Sequence, residues 1–232
     1  MAAPTVASTS TASAGYGTSV GINTPSGAAT GDLLIAAVAV GGGGYWVEST
    51  GWSWVNSRLH YNADIEILWR YHDGSSSSYT FSGWSYKTAA GGIARITGAD
   101  PVRPIGGTGV VTPAPDFSAP YEIVYPSLYA PLANSLLLTF AAQQFGAGQS
   151  APTFTAPSGM TEQWDFGSND ATYPNIAQTM DSLTVAAGAT GTKTGQTSGS
   201  IFPGYSGDTV GINLLIHGPR TTAKKFLGVR LR

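Results

Sequence analysis

The sequence predicts an all-β protein made of two tandem antiparallel β-sandwich repeats of jelly-roll type, followed by a short basic C-terminal tail. Only 10% of the residues are charged, whereas 31 glycines and 14 prolines separate the apolar runs, a composition typical of short strands joined by turns. The run Leu33 to Val40 is apolar throughout and ends at a block of glycines, so its length suits a strand better than a helix. A similar run, Leu136 to Ala142, follows about 103 residues later, which indicates that one unit occurs twice.

The first repeat is expected to contain strands near residues 4–13, 18–24, 33–40, 51–57, 64–72, 79–81 and 92–98. The run 33–40 has no polar face, so it should lie in the middle of a sheet that is covered on both sides. Strand 64–72 alternates instead, as expected for a sheet with one buried face. The residues expected to point inward are Ile65, Ile67, Trp69 and Tyr71, and those expected to point outward are Glu66, Arg70 and His72.

The second repeat replays this order with loops of different length. Its corresponding segments lie near residues 121–125, 134–142, 157–161, 194–198 and 210–218. We therefore expect a first sandwich over residues 1–106, a second over residues 107–218 and a tail over residues 219–232. The spacing of the strands suits a sandwich or jelly roll, and it also allows the two repeats to merge into one larger sandwich.

Composition and charge narrow the classes of function. The chain has no cysteine, no basic and apolar leader at its start and no apolar run of membrane-spanning length, so we expect synthesis in a cytoplasm without export or membrane insertion. Five of the eleven cations lie in the last thirteen residues, where no acid occurs, and the rest of the chain carries a net charge of −7. An acidic body is a poor partner for a nucleic-acid backbone, so no nucleic acid is expected to bind.

The sequence contains no catalytic or cofactor-binding motif. A nucleophile elbow, a P-loop, a zinc-protease helix and a dinucleotide fingerprint are all missing, and the three histidines are expected to be structural or solvated. Asp165, Ser168, Asn169 and Asp170 are the best calcium candidates, but their spacing is more typical of a turn. The expectation is therefore a protein that is not an enzyme and that holds no metal and no cofactor.

The aromatic residues are the most suggestive group. Five of the six tryptophans lie in the first repeat. Trp52, Trp54, Trp69 and Phe81 are expected in the core, where large rings fill the space between small apolar residues. Trp46, Trp84 and Tyr86 flank loops, and they are candidates either for stacking on a glycan or for packing.

The C-terminal tail mixes cations with apolar side chains. A tail that served solubility alone would not need the apolar residues, so we expect a segment that docks on a neighbouring subunit. The docking residues are Lys224, Lys225, Phe226, Leu227, Val229, Arg230 and Leu231. The alternative is a frayed, soluble terminus.

Four stretches, Gly31 to Val38, Gly51 to Val55, Tyr79 to Ser82 and Gly92 to Pro104, together resemble virion proteins of tailed bacteriophages. The resemblance covers residues 18–218 and lies in strands and turns. It implies a structural virion protein, a minor tail protein that presents loops for host attachment, with other phage structural subunits and copies of itself as partners and a host-surface glycan as a further ligand. Two alternatives stay open: a capsid decoration protein, and a carbohydrate-binding module that recognises host-surface glycan.

Overall fold

The computed structural model describes residues 2–60, 62–111, 121–198 and 209–220. The described residues form strands and no helix, which confirms the predicted all-β class. None of them belongs to a helix that is long and apolar enough to cross a membrane. The strands are β1 (Thr5–Asn23), β2 (Leu33–Gly41), β3 (Ser53–Arg58), β4 (Ala63–Tyr71), β5 (Ser78–Thr97), β6 (Ile105–Val111), β7 (Tyr121–Tyr125), β8 (Tyr129–Ala130), β9 (Ser135–Phe145), β10 (Phe154–Thr155), β11 (Thr161–Gly167), β12 (Asn175–Val185), β13 (Gly188–Ala189), β14 (Lys193–Thr197) and β15 (Thr209–Ile216).

Two five-stranded antiparallel sheets dominate the architecture. The first has the order β1-β5-β2-β4-β3, and the second has the order β6-β15-β9-β12-β11. The two apolar runs recognised in the sequence, now β2 and β9, are the central strands of these sheets. A three-stranded sheet, β10-β14-β7, and a two-stranded sheet, β13-β8, complete the described strands.

The longest strands, β1 and β5, pair along their length and form one bent two-stranded ribbon that belongs to two layers. Residues 5–14 of β1 pair with residues 89–97 of β5 inside the large sheet. Beyond register shifts near Gly17, residues 19–23 pair with residues 78–82, and this half lies over the outer face of the same sheet. The sequence pattern suggested two separate segments here because small residues around Gly15 and Gly17 interrupt the alternation.

The two large sheets pack face to face and share one apolar core. Ile35 and Ala37 of β2 lie in the same buried cluster as Leu138 and Phe140 of β9. Because successive residues of a strand point to opposite faces, Leu34 and its even-numbered neighbours in β2 point away from the second sheet. They lie in the cluster beneath the bent ribbon. The three-stranded sheet covers the outer face of the second large sheet in the same manner. The described residues therefore form four layers, and their general class is a β-sandwich.

The prediction that one face of β4 is exposed to solvent is wrong, because other parts of the chain cover both faces of this strand. Ile65 and Ile67 belong to the core between the sheets, as predicted. Glu66 and His72, predicted to point outward, are buried because the outer face lies under further chain. Arg70 is largely buried too: its guanidinium pairs with Asp73 at 2.8 Å and lies above a tyrosine ring.

Another correction concerns Trp54, which was expected in the core and is 54% exposed. β3 is an edge strand, and Trp54 lies opposite Leu68, whose side chain points to the outer face of the sheet and not into the core between the sheets. The domain boundaries at residues 106 and 218 stay predictions. The largest apolar cluster contains residues from both sides of residue 106.

Candidate functional site

The three predicted glycan-binding residues lie in different environments. Trp46 and Tyr86 are 56% and 59% exposed, whereas Trp84 is 4% exposed. Pairing of β1 and β5 jumps from Gly17 opposite Lys87 to Ser19 opposite Ser82, so residues 83–86 form a bulge. Within this bulge the Trp84 side chain points into the apolar cluster under the bent ribbon, so neither face of its ring is open to a ligand. The predicted docking residues 224–231 lie outside the described part of the chain.

Tyr86 belongs to a group of rings that brings both halves of the chain together. Its ring centroid lies 5.7 Å from that of Tyr16, and Tyr16 stacks on Tyr173 with 3.7 Å between centroids and an angle of 9°. Tyr16 and Tyr173 are 44% and 39% exposed, so all three rings reach solvent. We call Tyr16, Tyr86 and Tyr173 the tyrosine patch.

A turn around Asp170 holds the patch together. The carboxylate of Asp170 accepts backbone hydrogen bonds from Thr172 and Tyr173 within its own loop, and another from Tyr16 in β1 at 3.2 Å. These donors stabilise the charged form, so they hold the pKa of Asp170 below its ordinary value. The loop is also anchored by the buried side-chain amide of Asn175. Its oxygen accepts a hydrogen bond from the Asp170 N–H, and its nitrogen donates one to the Asp170 carbonyl. Asp170 therefore serves as the turn residue that the sequence suggested, because its carboxylate oxygens accept hydrogen bonds from backbone N–H groups.

Two glycines beside the patch lie close to neighbouring groups, and at Gly83 the approach leaves no room for a side chain. A β-carbon at Gly15 would lie 3.0 Å from the Asp170 carboxylate, and one at Gly83 would lie 1.9 Å from the carbonyl oxygen of Trp46. Gly83 has a φ of +116°, which favours glycine as well. Tyr86 itself has a φ of +51°, an uncommon value for a bulky residue. The bulge therefore fixes the direction of the Tyr86 ring and holds the segment carrying Trp46 against β5.

A loop over residues 42–47 carries Trp46 and rests on two buried carboxylates of β4. Asp64 accepts hydrogen bonds from the backbone of Tyr45 and His60, and Glu66 accepts one from Val47 at 2.8 Å. Burial raises the pKa of Asp64 to about 6, and burial together with the Asp64 charge raises that of Glu66 to about 7. One oxygen of each carboxyl group accepts a backbone hydrogen bond from this loop, so their role here is to position it.

The described residues contain no group of three histidine, aspartate or glutamate side chains that could hold a metal ion. The other strongly perturbed carboxyl, Asp181, has a pKa raised to about 7 by burial and accepts a hydrogen bond from Thr139. His72 bonds to the Tyr79 hydroxyl at 2.8 Å inside the apolar layer. These groups lie apart from the tyrosine patch, which leaves the patch as the best candidate for a binding site.

Sequence reasoning identified Tyr86 and Trp46 and missed Tyr16 and Tyr173. Tyr16 stood in a small-residue strand and Tyr173 in the other half, and no local pattern connects positions so far apart. The Asx-rich turn at Asp170 was visible, but its bond to β1 was not. Comparison of the chain with protein-family models, with characterised proteins and with solved structures finds no match.

Proposed function

We propose that the chain is a structural virion protein of a tailed bacteriophage, a minor tail protein that joins neighbouring subunits through its strand edges and presents the tyrosine-patch end to the host. The motif resemblance supplies the setting. The observation that carries the structural role is the open edge of β1.

β1 is the terminal strand of its sheet and, among the described strands, pairs only with β5. It is 19 residues long, contains no charged residue, and consists mainly of Thr, Ser, Ala and Gly. Edge strands of monomeric proteins are normally short or carry lysine, proline or bulges that prevent pairing with another chain. The register shifts of β1 lie near Val6 and Gly17, so residues 8–14 between them form a regular, uncharged edge that is suited to subunit pairing in an assembly.

We further infer that the molecule consists of two tandem jelly-roll-like repeats whose inner faces have merged. Both large sheets have the same order when β1, β5, β2, β4 and β3 are matched with β6, β15, β9, β12 and β11. β3 and β11 each contain a register shift after their second residue, at Trp54 and Glu162. Gly91 and Gly211 occupy matching positions opposite Val38 and Ala141 of the central strands.

The test introduces charge on the proposed edge. Thr11 and Ser13 are exposed in β1, and Thr11→Lys with Ser13→Lys adds two cations without disturbing a buried side chain. Surface substitutions of this kind change stability by roughly 0.5 kcal/mol or less. Ser150→Lys with Ala151→Lys, at two exposed loop positions, is the matched control because it also adds two cations. Each variant is supplied in trans to host cells that produce particles without the wild-type protein.

Quantitative mass spectrometry of purified particles measures incorporation. The edge variant is expected to melt like the wild type and to be lost from particles, while the loop variant is retained. Incorporation of the edge variant at the wild-type level would overturn the role of β1. Absence of the wild-type chain from purified particles would overturn the virion assignment, and its recovery with isolated capsids but not with tails would favour the decoration protein.

A further inference from the structure

Half of the large hydrophobic side chains exposed in the described chain lie at one end of the sandwich. They are Tyr16, Trp46, Tyr86 and Tyr173. Core packing does not account for them, because aromatic residues with a packing role in the same layer, such as Phe81 and Trp84, are almost fully buried. Each tyrosine offers an apolar ring and a hydroxyl that donates and accepts hydrogen bonds.

The tyrosine patch is held in place before any ligand arrives. Asp170 ties β1 to the loop that carries Tyr173, and Thr88 of β5 donates a 2.7 Å hydrogen bond to the Pro174 carbonyl of that same loop. The three rings therefore come from elements already fixed to one another. Such preorganisation reduces the entropy lost on binding.

The size of the patch distinguishes between classes of ligand. A stable protein interface involves about 20–30 residues on each side and buries on the order of 800 Å² per partner. Three contacting rings and one exposed tryptophan nearby are far fewer than the roughly 20–30 residues that such an interface involves. They match instead one or two rings of a small amphipathic ligand that presents an apolar face and polar edges.

We propose that the tyrosine patch is a saccharide-binding site, in which pyranose rings of a bacterial surface polysaccharide stack their C–H faces on the Tyr86 ring and on the Tyr173 face turned away from Tyr16, and hydrogen-bond to the phenolic hydroxyl groups. Lys87, beside Tyr86 in sequence, lies over the Tyr45 ring at 5.8 Å from its centroid and adds a donor at the margin. This assignment replaces Trp84 with Tyr16 and Tyr173, and it deepens the host contact proposed above, on which it rests.

An open patch of exposed rings binds one sugar weakly. Several copies on one particle convert weak single contacts into firm adsorption, because each further contact is made at a high effective concentration. The saccharide site therefore fits a protein that occurs in multiple copies on an assembled surface.

The test uses the isolated full-length protein on a printed panel of purified bacterial capsular, lipopolysaccharide and teichoic-acid polysaccharides. Binding to at least one polysaccharide is expected, and saturation-transfer NMR with an oligosaccharide of that polymer should show transfer to sugar C–H protons. Tyr86→Ala and Tyr173→Ala should each weaken binding about tenfold, the effect of losing one well-made aromatic contact. Tyr129→Ala and Trp54→Ala, which remove exposed rings elsewhere, should leave it unchanged.

Tyr16→Phe separates hydrogen bonding from stacking, because it keeps the ring and removes one hydroxyl group. A smaller loss of affinity than in Tyr173→Ala is expected, at an unchanged melting temperature. No binding to any polysaccharide, or equal losses in patch and control variants, would overturn the saccharide site. Concentration-dependent self-association that Tyr86→Ala abolishes would assign the patch to a protein interface instead. The presence of the chain in particles is measured separately, so a failure here leaves the virion proposal standing.

Discussion

Gly92 offers a direct test of the packing between the two large sheets. It lies in β5 opposite Ala37 of the central strand, and a β-carbon added to it would lie 2.6 Å from Cζ2 of Trp164 in the other sheet. Carbon atoms in ordinary contact are about 3.5–4.0 Å apart, so Gly92→Ala must push the indole ring or the sheet by about 1 Å. Overpacking of this kind costs about 1–3 kcal/mol, and for a chain of this size that lowers the melting temperature by about 2–12 °C.

The same substitution should be nearly neutral once the indole is reduced. In a Trp164→Phe background the added methyl group gains space, so the coupling between positions 92 and 164 should be at least about 1 kcal/mol in a double-mutant cycle measured by urea unfolding. Gly21→Ala is the matched control, because a β-carbon at Gly21 would meet no atom within 4 Å. Equal destabilisation by Gly92→Ala in both backgrounds would refute the contact between the sheets.

Three further predictions concern stability and assembly. Burial raises the pKa of Asp64 to about 6 and the pKa values of Glu66 and Asp181 to about 7. The contribution of these groups to the free energy of unfolding is complete below the pKa of about 4 that they have in the unfolded chain. It is lost as the pH rises through their folded-state pKa values of about 6 to 7. The melting temperature should therefore fall between pH 5 and pH 8, and Glu66→Gln should flatten this dependence; a melting temperature that rises over that interval would contradict the assignment. Phe140→Ala, in the shared core, should cost about 3–5 kcal/mol by chemical denaturation, and exposed Trp54→Ala should cost little; similar losses would place the core elsewhere. Deleting residues 221–232 should leave the melting temperature of the isolated protein unchanged and abolish incorporation into particles, and a truncated protein that incorporates normally would exclude the docking role.

The sequence was informative where physical constraints are local. Leu33 to Val40 could be placed in the middle of a sheet because eight apolar residues without a polar face need cover on both sides. Alternation placed Ile65 and Ile67 on the face that meets the other sheet, and this is confirmed. Glu66 was assigned outward on the same pattern, which assumes one solvated face, and the loop that buries it comes from a different part of the chain.

The candidate site depended on information that the sequence does not contain locally. Trp84 and Tyr86 are two residues apart and looked equivalent, yet the bulge at Gly83 sends one ring into the core and leaves the other in solvent. Tyr16 and Tyr173 are in contact only because the bent ribbon and the Asp170 loop lie at the same end of the packed sheets. Propensity and periodicity describe single segments, and they carry no signal for contacts between distant segments.

A cryo-EM map of intact particles tests the central claim most directly. The proposal predicts density for a four-layered β body on the tail, with the free edge of β1 continued by a strand of a neighbouring subunit and the tyrosine patch facing outward. A map at side-chain resolution in which every subunit is assigned and this chain is absent would contradict the claim, as would a subunit whose β1 edge faces solvent while its tyrosine patch is buried against another protein.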